Sequence, residues 1–192
     1  MTKPIIGILG GGQLGMMLCD AAKEIDIETH VFCPDDDCPS KGRSTYFSIG
    51  EYSDEEKIIK FSNSVDFITY EFENIPIKTV DFIKDQNKIR PGKQSLLLTQ
   101  DRLTEKRFLD KLNIPIAPYK DLKTIDDVIS AQNEFINSIV KTRTLGYDGK
   151  GQFNLRQSDD PNKVFNRIVS KSIIEKRIPF EFEVSVIIGR DI

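Results

Sequence analysis

The sequence predicts an α/β protein in two parts: a parallel sheet that opens with a βαβ unit, then a smaller region of mixed strands and helices. Two observations support this prediction. The apolar run at residues 4–9 leads into a glycine-rich turn and a helical pattern, which is typical of a buried parallel strand and its crossover helix. A second glycine-rich stretch, residues 146–152, separates two extended runs, as in a hairpin.

The opening βαβ unit carries a glycine pattern known from nucleotide-binding turns. Gly10, Gly12 and Gly15 satisfy G-x-G-x-x-G ahead of a helix that runs to about residue 23, and residues 29–33 form the second strand. The backbone N–H groups of such a turn suit a phosphate or another polar ligand group. Alternatively, the glycines only allow the strand and the helix to pack closely.

A dinucleotide site would also need an acidic side chain at the end of the second strand, where it binds the ribose hydroxyls. Cys33 stands at that position, and Asp35 follows only after Pro34. The missing acid argues against an NAD(P)-dependent oxidoreductase, which stays an alternative interpretation.

Helices and strands alternate up to a boundary near residue 92. The spacing of Ser53 and Glu56 predicts a capping box that opens a helix to about residue 61. A strand at residues 65–70, a helix at 77–84 and a short edge strand at 88–90 follow. The parallel sheet therefore belongs to the first part of the chain.

Two acidic residues come directly after the 65–70 strand. Glu71 and Glu73 alternate with Phe72, so both acids lie on one face if the strand continues. Ligands of open α/β sheets bind at the carboxyl ends of the strands, which makes both acids candidate ligand contacts. The alternative is a loop with incidental charge.

The second part of the chain centres on the glycine-rich loop at residues 146–152. Its glycines allow the backbone to approach a ligand closely and to present N–H groups to an anion, while Lys141 and Lys150 add positive charge. We interpret the loop as a flap over a polyphosphate; an ordinary glycine-containing hairpin is the alternative.

The elements that flank this loop are also predicted from the sequence. They are two helical stretches within residues 94–112, a proline-containing linker at 113–118, a helix from Thr124, a helix from Asp160 to about residue 169 and a strand at 172–178. Strict alternation over residues 181–188 predicts a last strand with Glu181, Glu183 and Ser185 on one face.

Composition excludes several classes of protein. The 27 basic and 30 acidic residues give a net charge of −3, without the concentrated basic face of nucleic-acid-binding proteins. No apolar run is long enough to span a bilayer, and the start lacks a signal-peptide pattern, so we expect a cytoplasmic protein. Zinc-ligand spacings are absent, so Cys19, Cys33 and Cys38 are predicted to be free thiols and His30 to be structural. Chemistry must rest mainly on Lys, Arg, Asp and Glu.

Six segments together resemble one enzyme family, the N5-carboxyaminoimidazole ribonucleotide synthases. These are ATP-grasp enzymes of purine biosynthesis, also called the ATPase subunit of phosphoribosylaminoimidazole carboxylase. Each segment alone is a weak signal, but the ordered set is specific. The segments are Gly-Gly-Gly-Gln-Leu-Gly at 10–15, Thr-Tyr-Glu-Phe-Glu-Asn at 69–74, Gln-Asp-Arg-Leu-Thr-Glu-Lys at 100–106, Lys-Thr-Arg at 141–143, Gly-Tyr-Asp-Gly-Lys-Gly-Gln at 146–152 and Glu-Lys-Arg-Ile at 175–178.

The resemblance implies a domain organisation. It places a Rossmann-like pre-ATP-grasp domain with a parallel sheet at residues 1–92 and a helical connector of the ATP-grasp domain at 93–116. A small α+β ATP-grasp lid follows at 117–178, and the C-terminal ATP-grasp domain starts at 179–192. The chain would then be the N-terminal portion of a longer protein, which the resemblance implies is a homodimer without nucleic-acid or membrane partners.

The resemblance also implies a reaction. The family uses ATP to phosphorylate bicarbonate to carboxyphosphate, and the amine of 5-aminoimidazole ribonucleotide attacks that species or the carbon dioxide released from it. The product is N5-carboxyaminoimidazole ribonucleotide, on the route to IMP. Mg²⁺ bridges the phosphates, and its ligands in the family lie beyond residue 192. We therefore expect no metal ligands in this chain, and neither turnover nor tight ATP binding by this chain alone.

Site residues follow from the resemblance, motif by motif. The implied ATP ligands are Arg102 and Lys141 at the phosphates, the flap Gly146, Tyr147, Asp148, Gly149, Lys150, Gly151 and Gln152, the adenine hinge Glu175, Lys176, Arg177 and Ile178, and the ribose-binding acid Glu183. The implied substrate contacts are Gln13, Leu14, Glu73, Tyr147 and Asp148. Lys141, Glu73 and Asp148 are the implied catalytic residues.

One position departs from the family, because Leu145 stands where a glycine is usual. We expect this leucine to stiffen the flap or narrow its approach. The alternative functions are another ATP-grasp ligase, such as formate-dependent glycinamide ribonucleotide transformylase or a biotin carboxylase, an NAD(P)-dependent Rossmann oxidoreductase, and a non-catalytic nucleotide-sensing fragment.

Overall fold

A computed structural model of the protein describes residues 3–146 and 149–189. The chain divides into two compact units, Met1–Glu105 and Lys106–Ile192. The first unit is built on a parallel sheet and the second on an antiparallel sheet. The predicted α/β fold class is therefore confirmed.

The first unit contains a four-stranded sheet in the order β3-β2-β1-β4, with every pair parallel. Because β1 has β2 on one side and β4 on the other, the strand order reverses between β1 and β4, and ligands of such sheets bind outside the carboxyl ends at this point. The elements are β1 (Ile5–Leu9), α1 (Gln13–Glu24), β2 (Glu28–Cys33), β3 (Tyr46–Ile49), α2 (Glu55–Asn63), β4 (Phe67–Tyr70), α3 (Ile77–Asp81), a 3-10 turn (Gln86–Lys88) and α4 (Lys93–Thr99). The next helix, α5 (Arg102–Lys111), begins in the first unit and continues into the second after Glu105.

The core of the first unit explains why the apolar runs become central strands. Leu9, Phe32 and Ile68, one from each of three strands, are fully buried and pack with Ile58 and Phe61 of α2. β3 was not predicted, since it lies at the edge of the sheet and all four of its residues keep some exposure. An edge strand of this kind has only a weak apolar signal in the sequence.

Three predictions about helices and strands of the first unit were wrong. The cap of α2 is Asp54 and not Ser53, because the Asp54 carboxylate accepts a hydrogen bond from the Lys57 N–H at 3.1 Å. The helix predicted at residues 77–84 ends at Asp81. The edge strand predicted at residues 88–90 is reduced to a single bridge between Ile68 and Ile89.

The second unit contains a four-stranded antiparallel sheet in the order β5-β8-β6-β7. One face is apolar: Val140, Leu155 and Ile174 pack there against Val128 and Val164 of the two helices. Residues on alternate positions of the same strands face the other way. The elements are β5 (Tyr119–Leu122), α6 (Ile125–Glu134), β6 (Asn137–Thr142), β7 (Gln152–Arg156), α7 (Pro161–Asn166) and β8 (Ser172–Lys176).

The strand predicted at residues 181–188 is absent. Residues 181–189 form no helix or strand, and their side chains are exposed. Alternation of polar and apolar residues describes a strand with one buried face, but a strand also needs a hydrogen-bonded neighbour. Neither four-stranded sheet includes this segment, so the alternating pattern alone does not make a strand here.

Cys19, Cys33 and Cys38 are free and buried in the structure. His30 lies within β2 and its ring nitrogens are 2.9 Å from Ser64 Oγ and 2.8 Å from Ser48 Oγ, in keeping with a structural role. Across the part of the chain that the structure describes, no helix has the length and apolarity needed to cross a membrane.

Candidate functional site

The glycine turn of the first unit is filled by a carboxylate of the protein itself. Glu71 Oε1 accepts a hydrogen bond from the Gly12 N–H at 2.6 Å, and Oε2 accepts one from the Gly15 N–H at 2.5 Å. Buried Ser40 holds the other side of the turn, since its N–H donates to the Gly11 carbonyl at 3.0 Å. Two of the N–H groups that would bind a ligand phosphate at this turn, those of Gly12 and Gly15, are therefore already used.

The Glu71 side chain lies close to all three glycines of G-x-G-x-x-G. A Cβ at Gly10 would come within 2.5 Å of the Glu71 side chain, and one at Gly12 or Gly15 within 2.9 Å. The Gly15 Cβ would also lie 3.0 Å from the Gly10 carbonyl, so close strand-to-helix packing contributes as well. A dinucleotide pyrophosphate would have to displace Glu71, which argues against the oxidoreductase alternative.

Glu71 and Glu73 were both predicted to be candidate ligand contacts on one face of a strand, but their side chains have different surroundings. The strand ends at Tyr70, Glu71 turns to the glycine loop, and Phe72 packs on the core, with its ring centroid 6.5 Å from that of Tyr52. The Glu73 side chain is half-buried and makes no hydrogen bond or ion pair with the other described residues. Glu73 thus stays available for a ligand while Glu71 does not.

The predicted substrate contacts of the first unit lie at one edge of its sheet. Gln13 and Leu14 begin α1 directly after β1, and Glu73 follows the neighbouring strand β4. Gln13 and Leu14 are exposed, with 57% of Leu14 accessible to solvent. Parallel strands end at the same edge, so these three residues all lie at the carboxyl edge next to the reversal point.

A cavity of about 380 Å³ lies at the opposite edge of this sheet, among residues that precede β1, β2 and β3. Two of its basic side chains pair with carboxylates: Lys3 with Asp26 at 2.5 Å and Arg43 with Asp20 at 3.6 Å. The position before the strands is not where α/β sheets bind ligands, and no functional role follows from this cavity.

The predicted glycine-loop hairpin is confirmed in the second unit. Strands β6 and β7 pair antiparallel, and the Thr142 N–H donates to the Gly151 carbonyl at 2.8 Å at the base of the loop. Gly149 and Gly151 have φ of 76° and 70°, which glycine adopts readily. Gly149, Lys150, Gly151 and Gln152 are exposed and Gly146 is buried, while Tyr147 and Asp148 lie outside the described residues.

Leu145, at the position where we expected a glycine from the resemblance, adopts the left-handed conformation. Its φ is 58°, and 69% of its surface is exposed. A side chain with a Cβ is strained in this conformation, and exposure means that packing does not compensate. The departure noted in the sequence is therefore a point of backbone strain at the entrance to the loop.

The polar face of the second sheet holds a compact charged cluster. The ammonium groups of Lys106 and Lys141 both lie 3.3 Å from the same oxygen, Glu175 Oε2. The three side chains are 12%, 24% and 17% exposed, respectively. Sequence reasoning identified Lys141 and Glu175 but missed Lys106, because a lysine on a charged helix is usually solvated. The only sequence signal was its place at the end of the 100–106 motif.

A second carboxylate on this face is also surrounded by basic groups. Asp121 lies 3.7 Å from Arg107, 3.1 Å from Lys123 and 3.8 Å from Arg143, and its side chain is 16% exposed. Asp121 shares the face with Glu175 because its strand partner is Ile173, two residues before Glu175. Two carboxylates thus contact five basic side chains, which makes this face suited to an anion.

The predicted adenine hinge lies where β8 ends. The Lys176 N–H donates to the Pro118 carbonyl at 2.8 Å, and the Arg177 N–H donates to the Asn137 carbonyl at 3.0 Å. The Ile178 N–H has no partner among the residues that the structure describes, and the residue is 42% exposed. One backbone donor of the predicted hinge is therefore available to a ligand.

The other two predicted ATP ligands, Arg102 and Glu183, lie on other parts of the chain. Arg102 is the first residue of α5, in the first unit, where Asp101 accepts hydrogen bonds from the Leu103 and Thr104 N–H groups. Glu183 lies in the exposed segment that was predicted to be a strand. The roles of Arg102 and Glu183 stay predictions.

Comparisons with known families match each part of the chain. The sequence profile of the ribonucleotide synthetase preATP-grasp domain matches residues 1–100, and that of the ATP-grasp domain matches residues 107–192. The two matches meet close to the division between the compact units.

Individual relatives agree with these profiles. The chain is 38% identical to the bifunctional purine synthesis protein purC/E of Dictyostelium discoideum, over 96% of this chain and 19% of that protein. It is 37% identical to the N5-carboxyaminoimidazole ribonucleotide synthase of Brucella melitensis, over 97% of this chain and 52% of that protein. The crystal structure of N5-carboxyaminoimidazole synthetase from Staphylococcus aureus with ADP has a TM-score of 0.83 and 35% identity, over 92% of this chain and 48% of that one. The chain spans about half the length of these synthases.

Proposed function

We propose that this chain, which belongs to the ribonucleotide synthetase preATP-grasp family, forms part of an N5-carboxyaminoimidazole ribonucleotide synthase. It matches the N-terminal portion of these synthases. The reaction is the ATP-dependent carboxylation of 5-aminoimidazole ribonucleotide by bicarbonate, through carboxyphosphate, in purine biosynthesis. The enzyme is a carbon–nitrogen ligase of the ATP-grasp class.

The observation that carries this proposal is the cationic face of the second unit. Lys106 and Lys141 meet at Glu175, and the glycine loop begins at the end of the strand that carries Lys141. Phosphoryl transfer depends on positioned positive charge and on exclusion of water more than on covalent chemistry by the protein. A cationic face beside a glycine loop that can cover the phosphates supplies both. The Staphylococcus aureus relative was crystallised with ADP, which supports a nucleotide as the anion.

The nucleotide-binding roles follow from the same face. Lys141 contacts the phosphates and stabilises the charge that develops on the transferred group. The residues 146–152 cover the phosphates, and the Ile178 N–H donates to the adenine edge at the end of β8. Arg102 is assigned to the phosphates and Glu183 to the ribose, on the motifs alone.

Binding of the ribonucleotide is assigned to the first unit. The half-buried Glu73 carboxylate accepts a hydrogen bond from the substrate amine and orients it, while Gln13 and Leu14 contact the substrate from the first turn of α1. Glu71 takes no part in binding, because both of its oxygens accept hydrogen bonds from the glycine turn. Tyr147 and Asp148 are assigned to the bicarbonate side of the reaction on the motif alone.

Several finer points belong to the proposal. The domain division is 1–92, 93–116, 117–178 and 179–192, and the complete enzyme is a cytoplasmic homodimer that uses ATP with Mg²⁺. Within the described residues no group of three or more His, Cys, Asp or Glu side chains could hold a metal.

The decisive experiment measures carbamate formation from ATP, bicarbonate and 5-aminoimidazole ribonucleotide by the complete gene product. Turnover is expected, and Lys141→Ala and Arg102→Ala are each expected to lower it by orders of magnitude. Lys120→Ala is the matched control, since Lys120 pairs with Glu134 at 2.6 Å away from the cluster. Turnover with glycinamide ribonucleotide and formate instead would identify the related transformylase. Aminoimidazole-dependent ATP hydrolysis by residues 1–192 alone would contradict the expectation that this portion is inactive.

A further inference from the structure

We propose that Lys106 is a positioning residue of the nucleotide site, which neutralises Glu175 so that Lys141 can leave that carboxylate and bind phosphate. The inference rests on the proposed function, since it specifies how the site changes when a nucleotide arrives. It concerns a residue that the sequence motifs did not assign to the site. Three observations support it: a shared oxygen, an unequal set of partners for the two lysines, and the burial of the carboxylate.

The shared oxygen means that the two lysines compete for one acceptor. Both ammonium groups lie 3.3 Å from Glu175 Oε2, so two positive charges meet one negative charge. The arrangement carries a net positive charge in a place where all three side chains are mostly buried. An arriving phosphate oxygen restores the balance if it takes one of the two lysines.

Lys106 is the lysine that stays. Its ammonium also lies 3.4 Å from the Ala117 carbonyl, to which it donates, and 5.3 Å from the centre of the Tyr119 ring. Only 12% of its side chain is exposed. These contacts come from a helix and from the start of β5, so they hold the ammonium from two sides.

Lys141 is the lysine that moves. Among the described residues its ammonium has no partner besides Glu175, and its side chain is twice as exposed as that of Lys106. It lies on β6 one residue before Thr142, whose N–H anchors the glycine loop through Gly151. Lys141 is therefore the lysine next to the loop that is assigned to the phosphates.

The burial of Glu175 makes the second lysine necessary. A mostly buried carboxylate that loses its only counter-ion is strongly disfavoured, because neither water nor another charge replaces the lost contact. With Lys106 in place, Lys141 can transfer to a phosphate while Glu175 keeps an ion pair. Without Lys106, Glu175 would retain Lys141, and the phosphate would bind more weakly.

The test is a set of variants of the complete gene product, whose ATP and adenosine affinities are measured by isothermal titration calorimetry. Lys106→Met is expected to weaken ATP binding by about tenfold and to leave adenosine binding within about twofold, because only the phosphate contact depends on Lys141. Lys106→Met with Glu175→Gln is expected to regain most of the ATP affinity, because a neutral amide does not retain Lys141. Lys106→Arg is expected to keep the ATP affinity, since the positive charge remains.

Lys120→Met is the matched control, because it removes a lysine from the same unit that pairs with Glu134 instead. It is expected to change neither affinity. Equal losses of ATP and adenosine binding in Lys106→Met would show a merely structural role and overturn the inference, as would failure of the double variant to recover. If the unaltered protein bound no ATP, the proposed function itself would fail and this inference with it. Unaltered ATP affinity in Lys106→Met would overturn the inference alone.

Discussion

Glu71 Oε1 accepts a hydrogen bond from the backbone N–H of Gly12 at 2.6 Å, across 59 residues of sequence. The second oxygen of the same carboxylate binds the Gly15 N–H, so the anion position of a phosphate-binding turn is filled from within. The turn at the reversal point of the first sheet is consequently fixed in shape. Its exposed neighbours Gln13 and Leu14 are held in place for the substrate that we assign to this edge.

Glu71→Gln should therefore destabilise the first unit. The amide keeps one oxygen acceptor but presents an N–H₂ group to a backbone N–H, so one charge-assisted hydrogen bond is lost and a donor is left facing a donor. We expect a loss of about 1–3 kcal/mol in the free energy of unfolding, measured by urea denaturation. Glu51→Gln, at an exposed position, is the control and should stay within about 0.5 kcal/mol. A Glu71→Gln protein as stable as the control would show that the turn does not depend on this carboxylate.

Leu145→Gly should be more stable than Leu145→Ala, in contrast to the usual order. The φ of 58° strains any residue with a Cβ, and the difference should be about 1 kcal/mol in urea denaturation. The comparison of glycine with alanine removes the leucine side chain from both variants. Leu97, which is 40% exposed in α4, supplies the control, because there alanine should be favoured over glycine by about 1 kcal/mol. The same order at both positions would exclude strain at Leu145.

Gly151→Ala should disturb the base of the glycine loop more than Gly149→Ala. Both residues have positive φ, but a Cβ at position 151 would lie 2.5 Å from Thr142 Oγ1, whereas at position 149 the nearest atom is 3.8 Å away. The pair thus separates a steric clash from the cost of the backbone conformation. Amide hydrogen exchange at the end of β6 should become faster in Gly151→Ala and change less in Gly149→Ala. Equal exchange rates in the two variants would contradict the clash.

His30 should make the protein less stable as the pH falls below about 6.5. Burial lowers the pKa of His30 from 6.5, because the charged imidazolium loses its hydration. The unfolded chain then binds more protons than the folded chain below pH 6.5, so stability is complete above that pH and falls until the folded pKa is passed. His30→Gln, which can still bond Ser48 or Ser64, should flatten the dependence of stability on pH below 6.5 in urea titrations. An unchanged slope would assign the dependence to other groups.

Local patterns in the sequence were sufficient for the framework of both units. The apolar run before the first glycine turn became β1, and the two extended runs around the second glycine loop became the β6–β7 hairpin. These patterns report backbone conformation and burial within a few residues, which is the range over which neighbours in the chain interact. The same patterns failed where a distant partner was required, as in the strand expected at residues 181–188.

The sequence by itself determined the central elements of both units, the positions of both glycine loops and the set of charged residues available for chemistry. The tertiary structure alone decided which charges meet: Glu71 with the turn at Gly12, and Lys106 with Glu175. These partners are 59 and 69 residues apart, and their contacts arise only when distant parts of the chain are packed together. Hydrogen bonds and ion pairs act over a few ångströms in space, so the folded arrangement determined the use of each carboxylate, one to hold a turn and the other to bind two lysines.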